Sequence, residues 1–78
     1  MQPWFNKMMY DREAVYSLKE RYRPGMRIRL LHMDDAQAPP KGTEGTVVDV
    51  DDIGSVLMKW DNGSSLNLLP GKDQFEIL

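Results

Sequence analysis

The chain of 78 residues has no cysteine and a single histidine, His32. Without thiols there is neither a disulfide framework nor a thiolate zinc site to supplement a small core. With one imidazole and no Gly-x-Ser-x-Gly turn, the chain lacks the nucleophile, base and orienting group of acyl transfer. No stretch approaches the roughly 20 consecutive apolar residues needed to span a bilayer. Residues 1–10 lack the long apolar run and small-residue cleavage pattern of a signal peptide. A strong excess of charge is missing too: the net charge is −2 and the pI about 5.2. These absences predict a soluble, cytoplasmic protein that is not an enzyme, holds no metal or cofactor and is not bound to a membrane. At this length it forms one domain stabilised by apolar packing, with self-association as a possible supplement.

The second half is rich in short apolar runs. Residues 46–50, 55–60, 65–69 and 74–78 each read as a strand, and each is bounded by a turn signal. The boundaries are Gly42 with Gly45, Asp51-Asp52-Ile53-Gly54, Asp61-Asn62-Gly63 and Pro70-Gly71. Asn62-Gly63 is the strongest of them, because Asn-Gly tolerates the positive φ of a tight hairpin. Strands this short bury their apolar faces only by curling onto one another, which predicts a small barrel.

Ahead of them, residues 26–32 alternate apolar and basic side chains. Met26, Ile28 and Leu30 face inward, and Arg27 and Arg29 lie on a wet face. Residues 33–41 form a polar loop with two prolines. Residues 11–23 read as a helix packed on the barrel of residues 24–78. Val15, Leu18 and Tyr22 form its apolar stripe, Asp11 its cap, and Pro24-Gly25 its stop. The expected core is Ile28, Leu30, Val48, Val50, Val56, Met58, Leu66, Leu68, Phe75 and Ile77, with Val15 and Leu18 from the helix. Residues 1–10 are a separate apolar segment, with Trp4, Phe5, Met8 and Met9 as candidate contacts to a partner or a second copy.

Charge divides along the chain. Residues 1–33 carry seven Lys/Arg against three acids, and residues 34–78 three lysines against nine acids. Two readings follow. The halves attract each other within one fold, or Lys19, Arg21, Arg23, Arg27 and Arg29 line a face that binds nucleic acid, with Tyr22 beside them to stack on a base. The overall acidity favours the first. The cluster Asp49, Asp51 and Asp52 invites a calcium reading. It fails, because a loop of EF type starting at Asp49 puts Ile53 and Trp60 where oxygen ligands belong. These carboxylates are better read as caps of their own turns. His32, at a strand end, is better read as a surface residue than as a base.

The order of strand, long loop, strand, hairpin, strand, hairpin, strand, short turn and strand resembles an SH3-like barrel. Three stretches are more specific: Arg23-Pro24-Gly25-Met26-Arg27-Ile28-Arg29-Leu30, Pro40-Lys41-Gly42-Thr43-Glu44-Gly45-Thr46-Val47 and Lys59-Trp60-Asp61-Asn62-Gly63-Ser64-Ser65-Leu66. Together they resemble the small bacterial proteins grouped as domain of unknown function 4314, over about residues 18–78. The resemblance implies a mainly β fold, a five-stranded SH3-like barrel preceded by one N-terminal helix. It also implies a bacterial or mobile-element context, and no activity. SH3-like barrels often bind protein between the loop after the first strand and the next hairpin, which puts Trp60 either in the core or at such a groove. The expected function is therefore a non-catalytic protein-binding module. Binding of nucleic acid through the basic helix end and first strand is the alternative.

Overall fold

The computed structural model describes residues 12–78. One helix, α1 (Arg12–Arg21), precedes four strands: β1 (Arg27–His32), β2 (Glu44–Val50), β3 (Val56–Trp60) and β4 (Gln74–Ile77). Glu13 in the first turn of α1 and Lys19 and Arg21 in the last complement its dipole. The Tyr22 N–H closes on the Leu18 carbonyl at 2.8 Å, and Pro24 prevents further winding. Val15 and Leu18 turn toward the sheet, and Tyr22, just past the helix, is only 6% exposed. The expected cap, Asp11, lies outside the described residues.

The strands form one antiparallel sheet in the order β3-β2-β1-β4. The expected closed barrel of five strands is not what the described residues form. Residues 65–69 make no strand; their only ladder contact is the bridge between Val56 and Leu68. The reason is local. The Asn-Gly turn forms as expected, with Gly63 at φ +93° and the Trp60 N–H bonded to the Ser64 carbonyl at 2.9 Å. Farther on, Val56 and Leu68 exchange backbone hydrogen bonds of 2.8 and 2.9 Å. Between these two points the Leu66 carbonyl accepts from the Trp60 indole N–H at 2.8 Å, and the Leu66 N–H donates to the Ser64 hydroxyl. The middle of the segment therefore bows away from β3.

The core consists of Tyr22, Ile28, Leu30, Val47, Val50, Val56, Met58, Trp60 and Leu68, with Val15, Leu18, Met26, Met33 and Phe75 packed at its border. It departs from expectation at three expected members. Val48 is 51% exposed and Val47 is buried in its place. A bulge between Val47 and Asp49 inserts one extra residue opposite β3, so the inward parity switches in mid-strand. The Asp49 carboxylate accepts the Val50 N–H at 2.7 Å and holds the bulge. Ile77 is 45% exposed because β4 is an outer strand with no neighbour on its far side among the described residues. Leu66 is half-buried because its segment bows.

Gly45 lies within β2, opposite Trp60. A Cβ there would sit 2.7 Å from Trp60 Cε3 and 3.0 Å from the Lys59 carbonyl oxygen, so the large ring lies on bare backbone. Gly45→Ala is expected to destabilise the fold by about 1–3 kcal/mol through overpacking against the ring and the β3 backbone. Chemical denaturation measures it; an unchanged midpoint and slope would refute this account.

Candidate functional site

The wet face of β1 presents Arg27 and Arg29 side by side, and three carboxylates meet them. Arg27 reaches Asp61 with both terminal nitrogens, at 2.9 and 2.5 Å, and also touches Thr46 and Glu44. Arg29 reaches Glu76 at 2.7 Å and the other oxygen of Glu44 at 3.2 Å. Register explains the meeting: Arg29 faces Glu44 on one side and Glu76 on the other. The hydrogen bond from Arg27 holds the Asp61 carboxyl below the usual carboxylate range. Hydrogen bonds to Asp61 raise the Arg27 guanidinium, and those to Glu76 and Glu44 raise that of Arg29. With Lys59, which lies beside Thr46 on the same face, three cations stand against three carboxylates, so this face carries no net positive charge.

The candidate nucleic-acid residues are therefore divided. Arg27 and Arg29 are engaged on the sheet. Lys19, Arg21 and Arg23 are exposed at the end of α1 and beyond it, with no ion pair among the described residues. Tyr22 is unavailable to stack on a base. The Phe75 ring meets it edge to face at 5.7 Å, and the Arg21 guanidinium lies 5.8 Å over its ring. Trp60 is 1% exposed, a core residue rather than part of a surface. Trp4, Phe5, Met8 and Met9 lie outside the described residues.

The acidic turns do what turn carboxylates ordinarily do. Asp51 Oδ1 accepts the N–H groups of Ile53 and Ser55, and Asp73 Oδ2 that of Leu69. Among the described residues no group of three or more His, Asp or Glu side chains could hold a metal ion. His32 is exposed at the end of β1.

A concave surface lies elsewhere, along β4. The apolar Tyr22, Leu31, Pro70, Phe75 and Ile77, together with Arg21, Gly71, Asp73 and Gln74, line an open groove of about 450 Å³. Leu31 enters it through the irregularity between Leu30 and His32 that shifts the β1–β4 register. The strand itself contributes backbone. The Leu78 N–H bonds to the Arg27 carbonyl at 3.0 Å, which makes 27 with 78, and by alternation 29 with 76, the hydrogen-bonded pairs. The N–H and C=O groups of Phe75 and Ile77 consequently point away from β1, along the rim of the groove. The opposite edge of the sheet differs, because residues 64–68 cover β3 at both its ends. Sequence reasoning missed this groove: Phe75 and Ile77 alternate like core residues, and nothing in their spacing says that β4 is outermost.

The Arg27–Asp61 pair has a measurable consequence. A carboxylate whose pKa is lowered by folding stabilises the fold above its unfolded value, and that contribution is lost as pH falls through the folded value. Asp61→Asn should therefore lower the melting temperature at neutral pH, and the gap to the parent should close on acidification below the usual carboxylate range. Thermal melts across that range check it; a gap independent of pH would show that the pair contributes nothing.

Comparison with known proteins adds a family and no activity. A family model described as Domain of unknown function (DUF4314) matches residues 11–78. No curated protein matches the chain. The match spans α1 and every strand of the sheet, and on it the chain belongs to the DUF4314 family.

Proposed function

We propose that this chain is a non-catalytic protein-binding module whose contact surface is the groove beside β4. The observation that supports it is the asymmetry of the sheet. One edge is covered by residues 64–68; the other exposes outward-pointing backbone beside Tyr22, Leu31, Pro70, Phe75 and Ile77. A sheet edge with an adjoining apolar groove is a common way to hold an extended segment of another protein. The covering of β3 by residues 64–68 also supports reading the fold as an SH3-like barrel whose fifth strand is reduced to a bowed segment. A cytoplasmic role in a bacterial or mobile-element system belongs to the same reading. So does a homodimer held by Trp4, Phe5, Met8 and Met9, which light scattering over a concentration series, with and without residues 1–10, tests; a constant monomer mass in both forms removes it.

Selection of displayed random peptides on the immobilised domain tests the binding reading. An enriched consensus with affinity on the order of micromolar is expected, lost in Ile77→Asp without loss of fold. No consensus, or one insensitive to Ile77, would end the reading. The alternative, nucleic-acid binding, rests on the exposed Lys19, Arg21 and Arg23. It requires retardation of a labelled oligonucleotide that weakens steeply with salt.

A further inference from the structure

The turn after β3 holds the chain's one Asn-Gly pair, Asn62-Gly63, and both residues are exposed. We infer that Asn62 is a site of spontaneous deamidation, that the folded turn holds the reaction back, and that its isoaspartyl product loosens the segment covering β3. In the reaction the Gly63 nitrogen loses its proton and attacks Asn62 Cγ. A bond forms between them, the side-chain nitrogen of Asn62 leaves as ammonia, and a succinimide ring remains. Water then opens the ring at one of its two carbonyls. One opening gives aspartate; the other gives isoaspartate, in which the main chain runs through Cγ. One water is consumed and one ammonia released, with no change of oxidation state. Glycine favours this ring closure because it has no side chain to obstruct it. Asn6 and Asn67 are followed by Lys7 and Leu68, whose side chains hinder it.

Two hydrogen bonds keep the reacting groups occupied in the folded turn. The Gly63 N–H donates to the Trp60 carbonyl at 3.0 Å, so the attacking nitrogen retains its proton. Asn62 Oδ1 accepts the Ser64 N–H at 3.0 Å, which holds the carboxamide toward Ser64. Conversion therefore passes through local opening of the turn. The two products act differently on the fold. Aspartate at position 62 keeps the acceptor for the Ser64 N–H and the length of the main chain, so the turn survives. Isoaspartate adds one carbon to the main chain. Turn geometry sets the register of a hairpin, and here that register joins the Trp60 N–H to the Ser64 carbonyl at 2.9 Å. The longer turn breaks this bond and frees one end of the cover over β3. The other end, where Val56 and Leu68 exchange bonds of 2.8 and 2.9 Å, is untouched.

The test incubates the full chain and a peptide of residues 59–66 side by side at neutral pH, with conversion located by mass spectrometry of proteolytic fragments. Both should convert at Asn62, the folded chain at least about tenfold more slowly, and unfolding it in urea should raise its rate to that of the peptide. The isoaspartyl form, separated by ion exchange, should exchange its Trp60 amide at least about tenfold faster than the parent. Its Leu30 and Val56 amides should stay protected. Asn62→Asp should exchange Trp60 as the parent does. Conversion at Asn6 or Asn67 ahead of Asn62 in the unfolded chain, or none at Asn62, would overturn the site. Equal rates in folded chain and peptide would overturn the restraint by the turn. Unchanged Trp60 exchange in the isoaspartyl form, or loss of protection throughout the sheet, would overturn the local loosening.

Discussion

The contact between Trp60 and Gly45 organises this fold. A large ring sits on the backbone of β2 where any Cβ would strike it, and that approach fills the centre of a domain too small to leave it empty. The ring has a polar end, which inside a protein must find a partner. The indole N–H finds the Leu66 carbonyl, and this bond draws residues 64–68 along the outer side of β3. One side chain thus fills the core, places the segment after the hairpin, and covers one edge of the sheet. No comparable device covers β4 among the described residues, and the proposed contact surface lies at that edge.

Electrostatics follows the same frame. The basic first half and acidic second half of the chain allow either an attraction within the fold or a face for an anionic partner. On β1 the attraction holds, since Arg27 and Arg29 find Glu44, Asp61 and Glu76 from three other parts of the chain. These pairs are solvent-exposed, so their effect on stability is modest and screened by salt. They also pair the two arginines that would otherwise form a basic stripe on β1, whereas Lys19, Arg21 and Arg23 at the helix end have no ion pair among the described residues.

Much of the fold was legible in residue order. The helix stop at Pro24-Gly25, the alternation of β1, the proline loop and the Asn62-Gly63 turn all lie where local chemistry puts them. The turn carboxylates Asp49 and Asp51 were legible too, because an Asp that caps its own backbone acts over a few residues. Alternation misleads where the register breaks. Alternation puts Val48 in the core, yet a bulge turns it outward and Val47 is the buried residue. Residues 65–69 were expected to be a strand from their Leu66–Leu68 alternation, and the Trp60 indole takes the carbonyl that such a strand needs. The groove was illegible for a similar reason: Leu31 reaches it through another irregularity, and Tyr22 and Pro70 come from distant parts of the chain.

What the amino-acid order determined by itself was the inventory: a small, thiol-free, mainly β domain with one helix, its turns, and a list of side chains that avoid water. These follow from interactions between residues close in sequence, where spacing and steric preference decide the outcome. Only the tertiary structure decided which strand is outermost, which arginines are neutralised, and which apolar residues form a floor rather than a core. Those outcomes depend on bulges and on partners dozens of residues away, and a linear pattern with period two carries no record of either.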